Sequence, residues 1–231
     1  MTALLSLDPL DLAALLCSKV CHDVISPVGA IVNGLEMLED EKDPEMRIFA
    51  LDLVRKSATS ASARLQFCRL AYGAAGSAGA SIDTGDAEKV ARGLLEDDKT
   101  KLVWNAPRVL LPKNKVKLIL NMCQIAAAAI PRGGVVEATI EGEGEAARLS
   151  TRSSGAYFRL AQAIPSMLAG KPESGSVDAH GIQAFYTGLV ARASGMEIEV
   201  TQEEGAARIA AVPAAAQAAE PRAADPTPAQ G

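Results

Sequence analysis

The stretch CHDVISPVGAI, Cys21 to Ile31, decides how the rest of the chain is read. It lies in a run from Asp8 to about Asp40 in which Leu16, Val20, Val24, Ile31, Leu35 and Leu38 recur at helical spacing. Asp8-Pro9 opens that run with a carboxylate at the N-cap and proline at the first helical position. Pro27 removes one backbone hydrogen bond from the middle, where a bend is expected. EDEKD makes a charged turn, and Asp43-Pro44 repeats the start signal. A second helix then runs to about Tyr72, carrying Ile48, Phe49, Leu53, Val54, Ala61, Leu65 and Cys68. The two helices form a hairpin that buries too little alone. Two copies facing each other would make a four-helix bundle, so a homodimer through Asp8–Tyr72 is expected. The alternative is packing of the hairpin on the remainder of its own chain.

That remainder reads differently. The chain has 231 residues, enough for one large domain or two small ones. GAAGSAGAS, Gly73 to Ser81, is Gly-rich and reads as a linker. Beyond it, helical patterns over Asp86–Asp97, Lys113–Ile130 and Ile182–Ser194 alternate with strand patterns in KLVWNA, VVEATIEG, ARLSTR and MEIEV. This is an α/β or α+β domain, with Trp104 in its core. The Ala/Pro-rich end of the chain is expected to be disordered. The expected organisation is a hairpin over 1–75, a linker over 76–82, an α/β domain over 83–213 and a tail over 214–231.

Composition excludes several function classes. Apolar residues make up 48% but aromatics only 3%, which suits helix packing better than an aromatic-rich sandwich. A net charge of −5 argues against general nucleic-acid binding, which needs a basic footprint. No run of about 18 apolar residues is read, so no membrane span is expected. The start of the chain opens without Lys or Arg and does not read as a signal peptide. Cys17, Cys21, Cys68 and Cys123 show no disulfide framework and are expected to be free thiols in a cytoplasmic protein, Cys17 and Cys21 as small buried ones.

His22 is one of two histidines. At about 100° per residue it falls opposite the apolar stripe, with Ser26, Gly29 and Asn33 near its line and Leu15 and Ile25 toward the same side. An exposed histidine among small, polar and apolar residues suggests a docking surface, which would also take in Lys19. A metal site is disfavoured: Cys21 and His22 point about 100° apart, and no other ligand pair has matching spacing. A hairpin turning near Lys42 places His22 level with Ser62. Arg64 and Gln66 can then frame the site, with Arg55 or Arg69 further along.

HDVISPVGAI resembles the phosphoacceptor box of sensor histidine kinases, in His22, Asp23, Ser26, Pro27 and Ile31. Each residue type has a task. A neutral imidazole nitrogen is a good nucleophile. The adjacent acid can hold the other ring nitrogen as N–H. The small hydroxyl leaves room for a phosphoryl group. LILNMCQIAAAAIPRGG resembles the asparagine box of the kinases' ATP-binding domain, and GIQAFYTGLVARASGMEIEV its last glycine box, helix and strand. The resemblance implies a degenerate histidine-kinase-type (Bergerat) α/β sandwich. It departs where nucleotide is held: Ile125 replaces an asparagine, Ala128 a basic residue, STRSSGAYF lacks the adenine-binding aspartate, and Ala179 to Gln183 keeps one glycine.

Over nearly the whole chain, with QFCRLAYGA at the end of the second helix, the pattern resembles the histidine phosphotransferases of alphaproteobacterial cell-cycle phosphorelays. That resemblance implies relay through His22 without ATP and without a cofactor of the chain's own, magnesium coming with the partner. It implies a donor receiver domain on a CckA-type hybrid histidine kinase and acceptors of the CtrA and CpdR response-regulator types. An active ATP-dependent kinase and a non-catalytic dimeric scaffold are the competing readings. His180 reads as a surface loop residue.

Overall fold

A computed structural model describes residues 4–73 and 80–214. The tail and most of the expected linker lie outside the described residues. Helix α1, Pro9–Asp40, begins at Asp8, whose side chain accepts from the Leu10 N–H at 2.8 Å. Helix α2, Pro44–Ala71, begins at Asp43, which accepts from the Glu45 N–H at 2.9 Å. Asp-Pro therefore starts both helices by the same mechanism. The turn is tied down by Arg47, whose guanidinium donates to the Leu38 and Glu41 carbonyls.

α1 and α2 pack along their length, and α1 continues through Pro27, which is buried between them. Gly34 is the closest approach. A Cβ there would lie 2.6 Å from Val54 Cγ2 and 3.3 Å from the Ala50 carbonyl oxygen. Carrying that pairing back along both helices puts His22 level with Ser62 to Gln66.

The second unit contains β1 (Ser81–Asp83), α3 (Thr84–Leu95), β2 (Thr100–Asn105), β3 (Leu110–Pro112), α4 (Lys113–Ala128), β4 (Gly134–Glu141), β5 (Arg148–Ser154), α5 (Ile164–Leu168), α6 (Ile182–Ala193), β6 (Met196–Glu203) and β7 (Ala206–Pro213). Five strands form a mixed sheet in the order β2-β4-β5-β7-β6, with β2 parallel to β4 and the other pairs antiparallel. β1 and β3 make a separate pair. One sheet face carries Leu102, Val136, Ala138, Ile140, Leu149, Ile209 and Ala211, all buried in the core beneath the helices.

α4 is buried nearly all round, from Lys115 through Cys123, because it lies between the sheet and α2, α3 and α6. Lys115 pays for its place by donating to the Glu145 and Ala147 carbonyls at 2.5 and 3.2 Å. Burial holds the Lys115 and Lys117 ammonium groups below the ordinary lysine range. The turn into β4 needs its glycines: Gly133 has φ 96°, and a Cβ there would meet the Lys99 carbonyl oxygen at 2.5 Å.

The hairpin is only partly clamped to this unit. Leu12, Leu15 and Leu16 near the start of α1, and Phe67, Ala71 and Tyr72 at the end of α2, pack on the α/β core. The alternative packing anticipated from sequence therefore holds at that end. Elsewhere the hairpin keeps apolar residues in solvent: Val28, Val32, Leu35, Ile48, Phe49, Leu51 and Leu65 are all more than 40% exposed. Within one chain the two helices leave Leu35, Ile48, Phe49 and Leu65 uncovered, because each helix covers too narrow an arc of the other. The most apolar 18-residue window of α1 has mean hydropathy 1.4 and is 6% buried. By length and composition alone such a helix could cross a membrane, which corrects the reading that no segment qualifies. One side of it is occupied by α2, and it carries the Lys19–Asp23 ion pair.

Cys17 and Cys21 are also corrected. Both are exposed, whereas Cys68 and Cys123 are buried. They project from α1 on the side away from Pro27 and Gly34, which neither α2 nor the sheet unit covers.

Candidate functional site

α1 sorts its residues by angle. Pro27 and Gly34 face α2. His22 points away with its side chain 82% exposed, and Ser26, Gly29 and Asn33 are exposed near the same line. Ile25, 70% exposed, borders them. A Cβ added at Gly29 would touch nothing, so the smallness of this position is not required by the fold. The hydroxyl of Ser26 makes no bond back to the helix carbonyl four residues before it.

Two members of the expected docking face are placed differently. Leu15 is half-buried against the α/β core. The Lys19 side chain is only 17% exposed, and its Nζ donates to Asp23 Oδ2 at 2.5 Å. In its first half, that side of α1 approaches α6 instead of solvent.

Asp23 departs from its expected contact. Its side chain is 16% exposed and turned inward, about 100° around the helix from His22. Its Oδ1 stands 3.7 Å from His22 Nδ1, outside hydrogen-bond range. Its charge also reaches inward. Burial chiefly, and the Asp23 carboxylate next, raise the Cys68 thiol; burial, then the charges of Cys68 and Asp23, raise the Tyr72 hydroxyl.

On α2, Arg64 is half-buried with Nε 3.4 Å from Ser60 Oγ, Gln66 donates to Ser62 Oγ at 3.0 Å, and Arg69 is exposed in the last turn. Arg55 lies on the exposed flank and pairs with Asp52 at 2.5 Å. The pairing of helices brings Arg64 and Gln66 to the level of His22 and leaves Arg55 and Arg69 to either side.

The boxes of the α/β domain are joined by bonds that spacing did not reveal. Asn121 is fully buried. Its Nδ2 donates to the Lys117 carbonyl at 2.7 Å and to the Ala71 carbonyl at 3.2 Å, and its Oδ1 accepts from Gln183 Nε2 at 2.6 Å. The Tyr72 hydroxyl lies between the Gln183 amide and Gln124 Oε1, the latter at 2.9 Å. Its ring meets Tyr186 edge-on at 5.5 Å between centroids. One polar cluster thus ties the end of α2 to α4 and α6.

These residues do not fit a magnesium nucleotide. Asn121 is fully buried, with both amide hydrogens donated and its oxygen turned to Gln183, so it is not presented to a ligand. Ile125 offers no oxygen to magnesium. Gln183 fills with a side chain a position where backbone must approach phosphate. Beside the cluster is a cavity of about 250 Å³ lined by Lys19, Gln124, Ile125, Arg159, His180 and Gln183, among others. Among the described residues no group of three or more His, Cys, Asp or Glu is placed to hold a metal ion.

Comparison with known proteins fixes the family. The domain family described as Histidine phosphotransferase C-terminal domain matches residues 84–206. The protein phosphotransferase ChpT of Brucella abortus (strain 2308) is 48% identical over 195 residues, covering 84% of this chain and 92% of that protein. The chain belongs to the histidine phosphotransferase family. The phosphotransferase also superposes on a solved bacterial phosphotransferase structure with a TM-score of 0.81, at 44% identity, covering 90% of this chain and all of the other. Its activity is histidine phosphotransfer within a two-component relay.

Proposed function

We propose that His22 is the phosphoacceptor, loaded from a receiver aspartate and unloaded onto another. The observation that carries this is the 82% exposed imidazole at mid-hairpin, set among small and polar neighbours. The step is an in-line displacement. A ring nitrogen of neutral His22 attacks the phosphorus of the aspartyl phosphate; the P–N bond forms as the acyl P–O bond breaks, and the carboxylate leaves. Both phosphohistidine and acyl phosphate are high-energy species, so the reverse step runs by the same geometry. Such transfers depend on positioning and charge stabilisation. Arg64, level with His22, is the cation that can screen the phosphoryl group. Gly29 and Ser26 leave room for the receiver, and Ile25 and Asn33 meet its surface. Magnesium belongs to the receiver's acidic pocket.

The donor is the receiver of a CckA-type hybrid kinase, and the acceptors are CtrA-type and CpdR-type regulators. The α/β domain is a degenerate kinase-type domain that binds no ATP, the reading supported by Asn121, Ile125 and Gln183. Exposed Val28, Leu35, Phe49 and Leu65 support a second copy as the cover of the hairpin, in a cytoplasmic homodimer with a four-helix bundle. Sedimentation of Leu35→Glu tests the dimer: a monomer is expected, and an unchanged mass removes Leu35 from the interface.

The experiment for the acceptor is transfer from a phosphorylated receiver to wild type and to His22→Ala. Wild type is expected to take label and the variant none, with both equally folded. Label appearing from ATP alone would favour an active kinase.

A further inference from the structure

The inference concerns the control of His22 and rests on the reading that His22 accepts the phosphoryl group. Asp23 is the acid nearest His22 in the chain, yet it serves Lys19. The Lys19–Asp23 contact is short, 2.5 Å, and both side chains are about five-sixths buried, so solvent competes weakly with it. His22 Nδ1 stands 3.7 Å away from the other carboxylate oxygen, Oδ1. A small side-chain rotation closes that gap. Lys19 has somewhere else to go, because its side chain also lines the cavity of about 250 Å³ bounded by the end of α4, residues 159–164 and the start of α6.

We propose that Lys19 is a positioning residue that governs whether Asp23 orients His22. With Lys19 bound to Asp23, the His22 ring has no fixed partner and either nitrogen can carry the proton. With Lys19 withdrawn, the buried carboxylate is left without a cation, which is costly, and His22 Nδ1–H, 3.7 Å from Oδ1, is a donor within reach of a rotation. That bond fixes the tautomer with Nε2 unprotonated and facing solvent, the form that attacks. Lys19 acts through Asp23 and touches neither phosphorus nor its leaving group.

The test uses the whole protein labelled with 15N in histidine. Two ring systems are seen; the His180 ring lines the same cavity as Lys19, and its signals are assigned separately with a His180→Gln variant. Ring 15N shifts report the tautomer with no phosphate present, so the result does not depend on whether His22 is the acceptor. In Lys19→Met the Nδ1–H form of His22 is expected to gain roughly two- to ten-fold over the other, the range of one hydrogen bond. Lys19→Arg should restore the wild-type ratio, and Lys19→Met with Asp23→Asn should lose the gain. An unchanged His22 ratio in Lys19→Met, with the spectrum of a folded protein, overturns the proposal. So does a gain that persists in the double variant. If the tautomer responds but His22→Ala still accepts label, the positioning stands and the acceptor assignment falls.

Discussion

Removing the Asn121 side chain separates a structural strut from a nucleotide ligand. Asn121→Ala deletes two donated bonds, to Lys117 and Ala71, and one accepted from Gln183. The site is fully buried, so water does not replace them without rearrangement. Net values of roughly 0.5–1.5 kcal/mol per bond place the sum near 3 kcal/mol. The stranded Ala71 carbonyl and Gln183 amide keep the cost from falling much below that, and loss of Tyr72 positioning adds to it. For a chain of this size 3 kcal/mol lowers Tm by about 6–12 °C. The assay is urea denaturation beside thermal melting. Hydrogen exchange in the last turn of α2 should accelerate more than exchange in the sheet. A loss under about 0.5 kcal/mol would show that the cluster does not hold the hairpin on the domain. So would a destabilisation with no local effect at Ala71.

Other expectations follow from single contacts. Gly29→Ala meets no atom and gains helix propensity, so stability should rise by up to about 1 kcal/mol while receiver binding weakens; Gly34→Ala drives a Cβ into Val54 and should lose about 1–3 kcal/mol. Paired unfolding curves and receiver titrations check both. Iodoacetamide at neutral pH should modify Cys17 and Cys21 while the protein is folded and leave Cys68 and Cys123 until it unfolds, the Cys123 thiol being pushed up to about 12 by burial. A second copy covering Cys17 and Cys21 would slow them in proportion to dimerisation. Asp83 caps α3, and the Gly85 N–H, then Arg108, hold its carboxyl below the usual range. Its contribution is present above the unfolded value of 3.8 and is lost as pH falls through the lower folded value. Asp83→Ala should therefore flatten the acid limb of stability against pH; an unchanged limb refutes the cap.

The sequence made some of this legible and hid the rest for physical reasons. Asp8-Pro9 and Asp43-Pro44 are local signals, and the side chains cap as their chemistry requires. The exposure of His22 needed only helical angle. The inward turn of Asp23 did not follow from adjacency: residues next to each other on a helix point about 100° apart, and Lys19, one turn back, claims the carboxylate first. β7 does not stand out because half of AARIAAVP is alanine, whose strand character here comes from pairing with β5 and β6. The Tyr72–Gln183–Asn121 cluster joins three distant segments. Spacing could flag Gln183 as an intrusion in a glycine box, but only the packed chain shows what it bonds. Leu35 and Phe49 obey helical periodicity, which marks apolar faces without saying whether the cover comes from the same chain.

The central claim is that His22 receives and returns a phosphoryl group that other proteins supply. The most direct measurement mixes the purified phosphotransferase with a 32P-labelled hybrid-kinase receiver, then adds a response-regulator receiver, and maps the label at each stage. The expected result is acid-labile label on His22 that moves to the regulator, none on His22→Ala, and none from ATP alone. Label on His180, or transfer that survives His22→Ala, would contradict it.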